Sequence, residues 1–80
     1  MDQDKFVERI RGADKNDGGV FAEILREALN DGCVGEKDLA SAFDVSLPTI
    51  RRWRAGLSAP HRFMRPAIYN WLIEKFSEKQ

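Results

Sequence analysis

Apolar residues recur along this chain at the three-and-four spacing of an amphipathic helix, and nowhere at the strict alternation of a half-buried strand. Phe6, Val7 and Ile10 mark a short first helix within residues 1–12, favoured by Asp2 and Asp4 in its opening turn and stopped at Gly12. The stretch from Ala13 to Gly19, ADKNDGG, is turn chemistry. Val20, Phe21, Ile24, Leu25, Ala28 and Leu29 then form one stripe with Glu23, Arg26 and Glu27 off it, until Asn30-Asp31-Gly32 ends the helix. A third helix is predicted from Glu36 to Phe43, with Leu39, Ala40 and Phe43 on one face. A fourth follows Ser46 as N-cap, tolerates Pro48 in its first turn and ends at Gly56. The last, over 64–78, is the most strongly patterned, with Met64, Ala67, Ile68, Trp71, Leu72 and Phe76 on its stripe. These elements predict an all-α fold: a compact bundle of four to five helices in a single domain, 1–80, containing a helix-turn-helix at 36–56.

Composition narrows what such a bundle does. Eighty residues, 42 % hydrophobic and 32 % charged, describe an ordinary globular chain. One this short buries only about 60 % of the surface its unfolded form exposes, so a deep cleft is not expected. Two Trp, five Phe and one Tyr can still fill a core, and Trp53 and Trp71 both fall on apolar stripes. A single Cys33 excludes an intramolecular disulfide and reads as a small buried or turn residue; with one His the chain has no zinc tetrad. No leader pattern and no apolar run of about 18 residues is present, which points to a cytoplasmic protein without a membrane partner. Ser41, Ser46 and Ser58 have only His61 as a potential base, so neither catalysis nor a cofactor is expected.

Net charge is zero, yet it is unevenly distributed. Residues 1–31 carry a balance of minus three, read as a solvated acidic face. Residues 32–65 carry plus three, from Lys37, Arg51, Arg52, Arg54, Arg62 and Arg65 against Glu36, Asp38 and Asp44. The positive potential therefore coincides with the third and fourth helices and the loop after them.

Within that segment, EKDLASAFDVSLPTIRRWRAGLSAP places two short helices a few residues apart. Helices crossing steeply through such a turn need a small side chain where they approach and apolar plugs beside it. Ala40 supplies the gap; Leu39, Val45, Ile50 and Trp53 supply the plugs. With Ile50 and Trp53 inward, the outer face of the second helix carries Leu47, Pro48, Arg51, Arg52 and Ala55. Such a helix fits the DNA major groove, where Arg bonds the O6 and N7 edge of guanine.

The run LASAFDVSLPTIRRWRAG followed by SAP resembles the helix-turn-helix of the phage-repressor and Cro family, also called Xre-like or lambda-repressor-like. The shared features are the leucine-alanine pair, the turn, Val-Ser, Thr-Ile, Trp and the trailing glycine and proline, over about 25 residues. The resemblance implies base-edge or near-groove positions at Ser46, Leu47, Pro48, Arg51 and Arg52. It implies phosphate contacts at Lys37, Thr49, Arg54, His61 and Arg62. His61 reads equally well as a solvated loop residue. The chain departs from the family's pattern at Asp44, where the turn usually has Gly, and at Glu36, often Gln, which would repel a phosphate that it faced. One long last helix also replaces two shorter ones.

The resulting expectation is sequence-specific binding of double-stranded DNA by a repressor-type transcription regulator, with helix 47–55 in the major groove and no small-molecule cofactor. A homodimer is expected through the last helix, where Tyr69, Trp71, Leu72, Ile73 and Phe76 look too many for one face of a monomer. The alternative is a protein-interaction module, an adaptor or antitoxin-like partner built on the same scaffold.

Overall fold

The computed structural model describes residues 3–32 and 34–77; the readings made for Asp2, Cys33 and Glu78 fall outside them. Among the described residues the chain forms five helices and no strand: α1 (Gln3–Arg11), α2 (Gly18–Asp31), α3 (Glu36–Phe43), α4 (Leu47–Ala55) and α5 (Arg65–Ser77). α1 packs along α5, while α2 and α3 both pack against α4. The Cα radius of gyration, 11.4 Å, is that of a close-packed domain of this length.

The boundaries follow from local chemistry, with one displacement from the sequence reading. α2 starts at Gly18, two residues before the apolar stripe, because the Asp17 carboxylate accepts hydrogen bonds from the N–H groups of Gly19 (2.9 Å) and Val20 (3.2 Å). Capping the orphan donors outweighs the poor helix propensity of two glycines, about 1 kcal/mol each. α5 begins at Arg65 with Pro66 in its first turn, where a missing N–H costs no helical bond.

One continuous apolar cluster joins the helices. Ile10, Ile24, Leu25, Leu39, Ile50, Ile68, Leu72 and Phe76 are fully buried. Phe21 of α2 stands at its centre, edge-on to Trp53 of α4 with ring centroids 6.0 Å apart and tilted against Tyr69 of α5 at 5.7 Å. Phe6 meets Phe76 at 4.6 Å and fastens α1 to α5. Arg9 joins the same corner to α2 through ion pairs with Glu23 (3.4 Å) and Glu27, so part of the acidic N-terminal segment is neutralised by its own cations.

α5 corrects two expectations. Tyr69, Leu72 and Phe76 point into the core, which removes them from any surface through which copies of the chain could associate. Trp71, expected in the core, is only half-buried; it packs edge-on against Phe43 at 5.9 Å, covering the outer side of α3.

Candidate nucleic-acid interface

α3, the turn after it and α4 form the predicted helical hairpin, and each of its joints has a visible cause. Gly35 precedes α3, and its N–H donates to the Asp38 carboxylate at 2.9 Å. Asp44 ends the helix in the left-handed conformation, φ 54° and ψ 48°, which costs a non-glycine residue roughly 1–2 kcal/mol. The Val45 N–H returns to the Ala40 carbonyl at 3.0 Å and closes the turn. Ser46 Oγ then caps α4 by accepting from the Thr49 N–H at 3.2 Å. At the far end Gly56, φ 79°, lets its own N–H reach the Trp53 carbonyl and that of Leu57 reach Arg52. Inside the hairpin Leu39 and Ile50 are fully buried and Trp53 is 5 % exposed, while Ala40 and Val45 lie half-buried at the approach of the two helices.

That core fixes what α4 presents outward. At about 100° per residue, positions 47, 48, 51, 52 and 55 cover roughly 140° of its circumference, opposite Ile50 and Trp53. Pro48, Arg51, Arg52 and Ala55 are exposed and Leu47 is half-buried. Arg52 Nη2 reaches Thr49 Oγ1 at 3.5 Å. Arg51 remains 63 % exposed, with Nε 3.6 Å from Glu36 Oε1. An exposed ion pair of this length contributes at most about 1 kcal/mol and does not immobilise the guanidinium.

The five predicted phosphate-contacting residues separate into two kinds. Lys37 and Arg62 are exposed. His61 is exposed as well, but its ring stacks at 4.8 Å on Phe63, and Nδ1 accepts the Phe63 N–H at 3.2 Å. The Arg62 guanidinium lies over the other residue of that pair, 5.1 Å from the Phe63 ring centre. Thr49 is half-buried, its hydroxyl 2.8 Å from the capping hydroxyl of Ser46. Arg54 departs furthest from expectation. Its Nη2 donates to Asn30 Oδ1 at 2.9 Å, Nη1 sits 3.6 Å from Glu36 Oε2, and its carbonyl accepts from Arg26 Nη1 at 2.9 Å. The side chain, 39 % exposed, ties α4 to α2 and α3.

Three residues that matter to this surface were not singled out in the sequence for these roles. Arg26 and Asn30, on the outer side of α2, hold the last turn of α4. Arg65, counted among the basic residues, spends its charge internally: Nε donates to the Pro60 carbonyl at 3.1 Å and Nη1 to that of Lys15 at 2.9 Å, fastening the loop after α4. On that loop Leu57 and Phe63 are 78 % and 76 % exposed. A shallow groove of about 400 Å³ runs beside the start of α4, lined by Lys37, Ala40, Ser41, Asp44, Val45 and Leu47.

Among the described residues no group of three metal-ligating side chains comes together, and no helix is long and apolar enough to cross a membrane. The chain matches no family model, no curated protein and no solved structure.

Proposed function

We propose that the chain is a sequence-specific double-stranded DNA-binding protein of the repressor type, with α4 as its major-groove helix and α3 crossing the sugar-phosphate backbone. The observation that carries this reading is the division of α4: Ile50 and Trp53 are buried, and Arg51 and Arg52 are both exposed on the opposite side of the helix. Two adjacent guanidinium groups on a short, firmly capped helix suit guanine edges, each good bidentate pair being worth about 1–3 kcal/mol of discrimination. Lys37 and Arg62 flank the helix and suit phosphate oxygens, which set register without reading sequence. The resemblance of residues 36–60 to the phage-repressor and Cro family supports the same assignment.

One such module covers about 600–1,000 Å², too little for high selectivity, so binding as a dimer on repeated half-sites is part of the proposal. With Tyr69, Leu72 and Phe76 in the core, self-association through α5 would use Trp71 and Ile73, both half-buried.

Selection from random duplexes at two salt concentrations tests the reading. It predicts one recurrent motif and a log-log salt slope of about −0.9 per neutralised phosphate. The interaction-module reading draws on the exposed Leu57 and Phe63; it predicts weak, sequence-blind DNA binding instead.

A further inference from the structure

Glu36 is the first residue of α3, and its carboxylate lies beside two arginines of α4 at once. Its Oε1 lies 3.6 Å from Arg51 Nε and its Oε2 lies 3.6 Å from Arg54 Nη1. The carboxylate is 24 % exposed, and Arg54 is held a second time by Asn30 at 2.9 Å. The acid is thereby stationed beside the exposed Arg51.

We propose that Glu36 is a specificity-determining residue of the DNA-binding face, whose charge disfavours a move of Arg51 to phosphate and leaves Arg51 available to a base edge. The inference rests on the reading of α4 as a major-groove helix. A guanidinium has five N–H donors in a planar fork. Glu36 occupies the Nε edge of Arg51, so the two terminal nitrogens remain free to meet guanine O6 and N7 together. In a sequence-blind complex the guanidinium must instead swing to a backbone oxygen. That movement breaks its contact with Glu36 and leaves the acid facing the phosphates. Glu36 therefore opposes the sequence-blind mode and is compatible with the base-reading mode.

The test compares wild type, Glu36→Gln, Arg51→Ala and the double variant. Each is titrated against a duplex selected by the wild type and a scrambled duplex of equal length, across a salt series. Glu36→Gln is expected to bind the scrambled duplex about fivefold more tightly, as removal of one nearby negative charge implies. Its salt slope there should steepen by about 0.9, one further phosphate contact. Affinity for the selected duplex should rise less, so the preference ratio falls. In the Arg51→Ala background the substitution should lose most of this effect, which a merely structural role for Glu36 would not produce. Glu36→Asp, which keeps an acid in the first turn but withdraws it from both guanidinium groups, should lower the ratio in the same direction. A wild type that prefers its selected duplex, with a ratio unchanged by either substitution at 36, overturns the role of Glu36 alone. A wild type that binds neither duplex overturns the reading of α4 and this inference with it.

Discussion

Arg51 and Arg54 sit one turn apart on α4 and contact the same carboxylate at the same distance, yet they belong to different regions of the molecule. Arg51 rises from a face whose neighbours are Pro48, Arg52 and Ala55, all exposed. Arg54 turns toward the flank where Asn30 and Arg26 of α2 meet the end of the helix. The outer face is left to solvent because the core needs only Ile50 and Trp53 from this helix. The flank is engaged because Asn30 and Arg26 of α2 lie within hydrogen-bond reach of the last turn of α4. A cation on α4 therefore faces solvent or braces its neighbours according to its helical phase, and local charge density alone does not distinguish the two.

The largest effect should come from removing the residue that sets that phase. Trp53→Ala is expected to lose about 3–5 kcal/mol, enough to unfold most of a domain this small, and a thermal melt monitored by circular dichroism measures it. Replacing Arg51 and Arg52 together by Ala should leave the melt in place and cost about 1–3 kcal/mol of discrimination per lost pair in duplex titrations. Arg54→Ala should do the reverse: about 1 kcal/mol of stability lost with its hydrogen bond to Asn30, and less change in DNA affinity than Lys37→Ala or Arg62→Ala produces. Similar effects from all these arginines in the DNA titration would erase the distinction between face and flank.

Smaller effects sharpen the picture. Asp44→Gly relieves a left-handed aspartate and should raise stability by about 1 kcal/mol in the same melts. Tyr69 is buried with no hydrogen-bond partner for its hydroxyl among the described residues, and burial pushes the phenol above its usual range, partly opposed by the positive charge of Arg65. Above about pH 10 an unfolded chain loses that proton more readily than the folded one, so stability should fall as pH rises. Tyr69→Phe should remove this alkaline slope and be neutral to slightly stabilising at pH 7, by up to about 1 kcal/mol, in melts at both pH values.

The hairpin and the exposed face of α4 were legible in the sequence because their signals are local. Ser46, Pro48 and Gly56 bracket α4 within eleven residues, and the spacing of Ile50 and Trp53 fixes its orientation. The fates of Arg54 and Arg65 were not legible, since Asn30 and the Lys15 carbonyl lie 24 and 50 residues away along the chain. The start of α2 was displaced because glycines at 18 and 19 read as a turn unless the Asp17 cap is weighed against them. On α5 the apolar residues spread around the helix, and only its packed surroundings decide that Tyr69, Leu72 and Phe76 enter the core while Trp71 stays at the rim.

The orientation of α4 toward a duplex is tested most directly by following backbone amide resonances during titration with a selected duplex. The account predicts the largest shifts at residues 46–55, with Lys37 and Arg62 beside them and α1 little changed. Shifts centred instead on Trp71 and Lys75, or spread evenly without saturation, would contradict it.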